Sequence, residues 1–150
     1  MAQNTQTRAE VTLTLTLHPY LHIEAIQPTV NLDYKTIENH RDDVSVKMHD
    51  HLLVHSSSNF EVSAEVRNEH MANKYITITP ERSTGTGGYY HTLNTVFLTR
   101  TSKPIIHAGR GHNLRYNITY TGKKDFAYAE IVDKTHKSYT SVVVYTIVPK

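Results

Sequence analysis

Short runs in which apolar and polar residues alternate recur along the chain, and they restrict its fold more than any other feature. The first is AEVTLTLTL at residues 9–17, where Val11, Leu13, Leu15 and Leu17 alternate with three threonines. A period of two places the apolar side chains on one face of an extended strand and the hydroxyl groups on the other. Because valine and threonine also favour an extended backbone, the run predicts a β-strand near the N-terminus.

Further runs of this kind follow, separated by turn residues, at the spacing of about 8–12 residues that is typical of all-β sandwiches. The 150 residues suffice for one domain with its own core. We predict an antiparallel, immunoglobulin-like β-sandwich of roughly nine or ten short strands over residues 9–150, preceded by a polar extension at residues 1–8. A jelly roll and a closed barrel are the alternative arrangements.

The last run, YTSVVVYTIV at residues 139–148, has a continuous apolar centre. Strands that are buried on both faces have this pattern, whereas strands at the edge of a sheet alternate more clearly. We therefore expect Val142 to Val144 to lie in the middle of a sheet and to be almost fully buried.

The composition excludes several classes of function. The net charge is +2, with basic and acidic residues interspersed, so no nucleic-acid partner is indicated. The chain has no cysteine, which excludes disulfides, thiolate metal sites and a cysteine nucleophile. No run approaches the roughly 18 apolar residues of a membrane span. The Ala2-Gln3 start after Met1 is typical of a mature exported chain with an added initiator methionine.

No motif of catalysis or cofactor binding stands out. The glycine-rich segment Thr84–Gly88 lacks the Lys-Ser/Thr pair of a phosphate-binding loop, and no nucleophile elbow of the Gly-x-Ser-x-Gly type occurs. We therefore expect a protein that is not an enzyme and has no cofactor.

Two groups of residues are candidates for binding sites. His49 and His51 would project from the same face of a regular strand, which suits two metal ligands, but we expect surface histidines without a bound metal. Tyr89 and Tyr90, beside the glycine-rich segment, are the best candidates for contact with a ligand such as a glycan.

Three segments resemble known proteins. TLTLTLHPYLHIE, an alternating strand followed by a proline and a second strand, resembles the start of mature subunits of alternate-type chaperone–usher fimbriae. KSYTSVVVYTIVPK and DDVSVKMHDHLLVHSSSNFEVSAEV resemble secreted, cysteine-free bacterial β-sandwich proteins, some of them related to fimbrial subunits. The resemblance implies an immunoglobulin-like sandwich, export to the cell surface, and assembly into a filament by donor-strand exchange.

From these observations we expect a structural subunit of an extracellular filament or pilus, a homo-oligomer whose subunit interface is formed by Val11, Leu13, Leu15 and Leu17. In the other arrangement residues 9–17 would form the first strand of their own sandwich. An extracellular module that binds carbohydrate or a host surface, and a viral or phage capsid or tube protein, are the alternative functions.

Overall fold

The computed structural model describes residues 7–33, 42–67, 76–89, 91–123 and 140–150. These residues form ten β-strands and no helix, and hence no helix that could cross a membrane. The strands are β1 Leu21–Ala25, β2 Val44–Ser56, β3 Phe60–Val66, β4 Ile76–Arg82, β5 Thr86–Gly87, β6 Thr92–Leu93, β7 Val96–Phe97, β8 Lys103–Ala108, β9 Gly111–Gly122 and β10 Val143–Pro149.

The strands form two antiparallel sheets, which confirms the predicted all-β fold. One sheet has the order β1-β2-β9-β4-β7, with the two-residue β5 also pairing with β9. The other has the order β10-β3-β8-β6. Successive strands change sheet repeatedly, as from β2 to β3 and from β8 to β9, and buried residues of both sheets form one core.

The core is built by strands whose alternation was visible in the sequence. β3 is the clearest case, because Phe60, Val62, Ala64 and Val66 are all at most 1% exposed while the residues between them are partly exposed. The long strand β9 adds Leu114, Tyr116, Ile118 and Tyr120, and the buried residues of β2, β4 and β8 complete the cluster.

β2 is interrupted at Asp50, which adopts a left-handed conformation with φ of 48°. Its pairing with β9 shifts between Met48 and Leu52, where three residues of β2 lie opposite the single Asn117, so β2 forms a bulge there. The interruption changes the direction of the side chains around it. His49 is exposed, whereas His51 is only 2% exposed.

The prediction for the last strand was wrong. β10 pairs with β3 alone and lies at the edge of its sheet, and Val142 is 54% exposed. Val143, Tyr145 and Ile147 pack against the core but are only partly buried. The apolar run correctly indicated a strand with two apolar faces, but among the described residues no further strand covers its outer side.

Candidate functional site

The N-terminal arm, residues 8–20, is the most unusual part of the structure. It runs without a turn or a bend and, before Tyr20, pairs with no described strand. Val11, Leu13, Leu15 and Leu17 are 91%, 89%, 79% and 80% exposed. Isolated apolar residues on a surface are normal, but four at alternate positions of one segment form an apolar edge that a soluble domain rarely leaves uncovered. The arrangement in which residues 9–17 form the first strand of their own sandwich is therefore not the one adopted.

The arm leaves the domain at a fixed point. The Tyr20 backbone N–H donates to Ser57 Oγ at 2.9 Å, and the Ser57 N–H donates to the Tyr20 carbonyl at 3.0 Å. Beyond this anchor, Arg8 and Glu10 form an ion pair at 3.2 Å, with both side chains mostly exposed. Residues two apart lie on the same side of an extended chain, so this pair fits the extended course of the arm.

The second part of the site is the side of the sandwich where β1 and β10 lie next to each other. Each is an outer strand, one in each sheet, and the two approach without hydrogen-bonding. Along this side the core is only partly covered, by Ile23 on β1 and by Val143, Tyr145 and Ile147 on β10. We call this side of the sandwich the open edge.

The strand order gives the open edge a further meaning. Six strands can be given immunoglobulin letters in chain order, A to F: β1, β2, β3, β4, β9 and β10. With these letters the first sheet has the order A-B-E-D, and in the second sheet F lies beside C, as in the immunoglobulin fold. β8 is an addition on the far side of C. In the immunoglobulin fold strand G follows F in the C-F-G sheet. No strand of the described chain takes that place beside β10.

A buried chain of hydrogen bonds joins the two sheets near the open edge. Gln27 Nε2 donates to the His49 carbonyl at 2.8 Å, which turns Gln27 Oε1 towards His51 Nδ1 at 2.7 Å. His51 Nδ1 must therefore carry the proton, and His51 Nε2 accepts from the Tyr120 hydroxyl at 2.8 Å. The Tyr120 oxygen in turn accepts from the Tyr145 hydroxyl at 2.6 Å. The chain thus links β10 to β9, β2 and the segment after β1.

Burial keeps the side chains in this series of hydrogen bonds uncharged. Desolvation lowers the pKa of His51, so its imidazole is uncharged at pH 7. Desolvation raises the pKa of Tyr120 to about 12, and it also raises the pKa of Tyr145. The sequence analysis missed these residues as a group, because alternation places each side chain inside or outside but does not reveal its partner on another strand.

The two histidines considered as metal ligands do not form a pair. His49 is exposed as expected, but His51 is buried and both of its ring nitrogens are in hydrogen bonds. The expectation that both lie on the surface was wrong for His51, because the irregularity at Asp50 breaks the alternation on which it relied. Within the described ranges, no three or more His, Asp or Glu side chains are placed to hold a metal ion.

The proposed ligand contact at Tyr89 is shallow. Tyr89 is 71% exposed and lines a depression of about 100 Å³ together with Asn59, His107, Ala108 and Gly109. Ligand-binding pockets typically measure about 300–1,000 Å³, so this one is small. Tyr90 lies outside the described residues.

The comparisons with known proteins add no family to this description. No protein-family model matches the chain, and no curated protein matches it significantly.

Proposed function

We propose that this protein is a structural subunit of an extracellular filament or pilus, and that it assembles by inserting its N-terminal arm into the open edge of a neighbouring copy. The observation that carries the proposal is the exposed apolar edge of the arm, formed by Val11, Leu13, Leu15 and Leu17. Export and surface location are part of the proposal through the resemblance to secreted fimbrial subunits.

The arm has the properties of a donated strand. Its apolar side chains alternate with threonines, so it can pack one face on a core and leave the hydroxylated face outside. Its anchor at Tyr20 keeps residues 9–17 away from the pairing of their own domain. Strand addition at a sheet edge combines backbone hydrogen bonds with side chains that fill pockets, and pilus subunits are a known example of this mode.

The open edge has the properties of an acceptor. A strand placed there would pair with the outer side of β10, which pairs with no other described strand, and would cover the partly buried side chains Val143, Tyr145 and Ile147. Unpaired backbone groups and exposed apolar surface are both costly in water, so the added strand satisfies two needs at once. The occupied position is that of immunoglobulin strand G.

The expected energy is large enough for a stable polymer. Full burial of a valine or leucine side chain is favourable by about 1.5–3 kcal/mol, so four of them give about 6–12 kcal/mol per junction before the cost of ordering the arm. The contact is heterologous, because the surface that donates differs from the surface that accepts, and repeated contacts of this kind produce rings or open chains.

The first test compares the two faces of the arm. Leu13→Asp with Leu15→Asp places two charges on the apolar face, whereas Thr14→Asp with Thr16→Asp places the same two charges in the same segment on the opposite face. All four residues are exposed in the subunit, so neither variant should change its melting temperature. We expect the leucine variant to remain monomeric in light scattering, and the threonine variant to form filaments visible by electron microscopy.

A second test uses the absence of cysteine. With Leu15→Cys and Val142→Cys in one chain, the introduced thiols are the only ones present, and a disulfide forms only where their Cα atoms come within about 4.4–6.8 Å. We expect oxidation to give a ladder of covalent multimers in denaturing gels. Because the register of the arm on β10 is unknown, the pair is scanned with Leu13→Cys and Leu17→Cys in place of Leu15→Cys.

Three outcomes would contradict the proposal. A disulfide that closes only within one chain would show that the arm covers its own open edge. Equal assembly of the leucine and threonine variants would show that the apolar face is not the interface. Closed shells in micrographs of native material would favour a capsid protein, and a wild type that stays monomeric at high concentration would exclude self-assembly.

A further inference from the structure

Three histidines on neighbouring strands form a row on the outer face of the larger sheet. His22 on β1 lies directly opposite His55 on β2, and their ring centroids are 6.0 Å apart. On the other side of His55 lies His112 of β9, at a centroid distance of 4.7 Å. The adjacent residues Ile23 and Val54 pack against or belong to the core, so His22 and His55 lie on the opposite, solvent-facing side. His112 is exposed beside His55, and Asn113, with φ of 54°, breaks the alternation between His112 and the buried Leu114.

Two of these rings already have the spacing of metal ligands. His55 Nδ1 and His112 Nδ1 are 3.2 Å apart. In a tetrahedral zinc site with Zn–N bonds of about 2.0–2.1 Å, ligand nitrogens at this separation subtend an angle of about 100–105° at the metal, close to the ideal value.

The hydrogen bonds show which nitrogens carry protons. The Asn113 backbone N–H donates to His55 Nδ1 at 3.0 Å, so this nitrogen carries no proton, and the proton between the two rings belongs to His112 Nδ1, which shares the same acceptor.

We propose that His55 and His112 bind a divalent transition-metal ion of the zinc, nickel or copper class through their Nδ1 atoms. On binding, the proton between the rings moves to His112 Nε2, so both imidazoles stay neutral and no proton need be released there. The Asn113 N–H gives up its acceptor, and because Asn113 is exposed, water replaces it. Imidazole nitrogen is a preferred ligand of these ions, and water completes the coordination.

Calorimetry of the metal-free full chain, purified without a histidine tag, with zinc chloride tests the proposal. The chain has eleven histidines, so the comparison between variants matters more than binding alone. We expect His112→Ala to weaken the strongest site by at least about tenfold, since even outer-sphere partners of a metal ligand are typically worth that much. His107→Ala, an exposed histidine on the other sheet, is the matched control and should bind as the wild type does.

Nuclear magnetic resonance of the imidazole nitrogens provides an independent readout. We expect zinc to shift the Nδ1 signals of His55 and His112 together, at one equivalent of metal. His22→Ala, which leaves both proposed ligands in place, should bind zinc as the wild type does. The proposal is overturned if no zinc binds in the micromolar range, if His112→Ala binds as the wild type does, or if His107→Ala loses as much affinity as His112→Ala.

Discussion

The buried hydrogen-bond chain from Gln27 to Tyr145 allows the effects of three single-atom deletions to be ranked in advance. Replacing Tyr120 with phenylalanine removes the hydroxyl in the middle of the chain, which accepts from Tyr145 and donates to His51. Two groups then lose their partner. Replacing Tyr145 with phenylalanine removes only the last hydroxyl of the hydrogen-bond series, and Tyr120 still donates to His51.

The magnitudes follow from what each deletion leaves unpaired. Stranding one buried polar group costs about 1–3 kcal/mol, and a single lost hydrogen bond costs about 0.5–1.5 kcal/mol. His51 is almost fully buried, so the ring nitrogen that Tyr120→Phe leaves unpaired cannot bond to water, whereas in Tyr145→Phe the Tyr120 hydroxyl keeps its bond to His51. We therefore expect Tyr120→Phe to lower the free energy of unfolding by about 2–4 kcal/mol and Tyr145→Phe by about 0.5–1.5 kcal/mol.

Tyr116→Phe is the matched control. Tyr116 is fully buried on the same strand as Tyr120, but its hydroxyl has no hydrogen-bond partner among the described residues. Removing it should change stability by less than about 0.5 kcal/mol, because no bond is broken. The chain has no tryptophan, so urea unfolding is followed by circular dichroism on dilute protein. Equal losses in Tyr120→Phe and Tyr116→Phe, or a larger loss in Tyr145→Phe than in Tyr120→Phe, would refute the reasoning.

Two further predictions concern pH and backbone conformation. Burial lowers the pKa of His51 below its ordinary 6.5, so the unfolded protein binds a proton at this histidine more readily than the folded protein does. The contribution of His51 to the free energy of unfolding is therefore fully present above pH 6.5. It is lost as the pH falls from 6.5 towards the folded-state pKa. Urea titrations of wild type and His51→Gln between pH 7.5 and 5 should show a shallower decline for the variant, and parallel curves would contradict this. Gly87 has φ of 92°, and an added Cβ would lie 2.6 Å from the Arg110 carbonyl oxygen, so Gly87→Ala should lower the free energy of unfolding by about 1–3 kcal/mol. Thermal melts of Gly109→Ala, where the nearest atom is 3.1 Å away and φ is not positive, should show a smaller loss, and equal losses would contradict the argument.

Most of the sandwich was predictable because burial on one face leaves a period of two in the sequence. β3 illustrates this, since every second residue from Phe60 to Val66 is in the core. The same rule failed at His51, which is buried next to the left-handed Asp50 although the alternation on either side, at Met48 and Leu52, is unchanged. It failed again at β10, because a continuous apolar run does not reveal whether its strand lies in the middle of a sheet or at its edge.

The candidate sites were less predictable than the fold, for a related reason. The exposed arm was visible as a strand-like segment next to the N-terminus, but its lack of a partner in the domain is a property of the whole topology. The row of His22, His55 and His112 depends on the register of three strands that are far apart in sequence. A period of two says nothing about register, so only the structure places these rings side by side.

The far side of the sandwich has a consequence for the geometry of any polymer. There the outer strands β6 and β7 are two residues long, while the open edge has strands of five and seven residues. Two residues offer too few backbone groups to hold a further strand, so in the proposed assembly each subunit would accept a strand at one edge only. Each subunit would have one arm to donate and one open edge to receive an arm, so subunits joined in the proposed way would form an unbranched filament. Its two ends would differ, with an uninserted arm at one end and an unoccupied open edge at the other. Such a filament could grow at either end, by a subunit that supplies an arm or by one that supplies an open edge. A protein that occupies the open edge and has no arm of its own would end growth there.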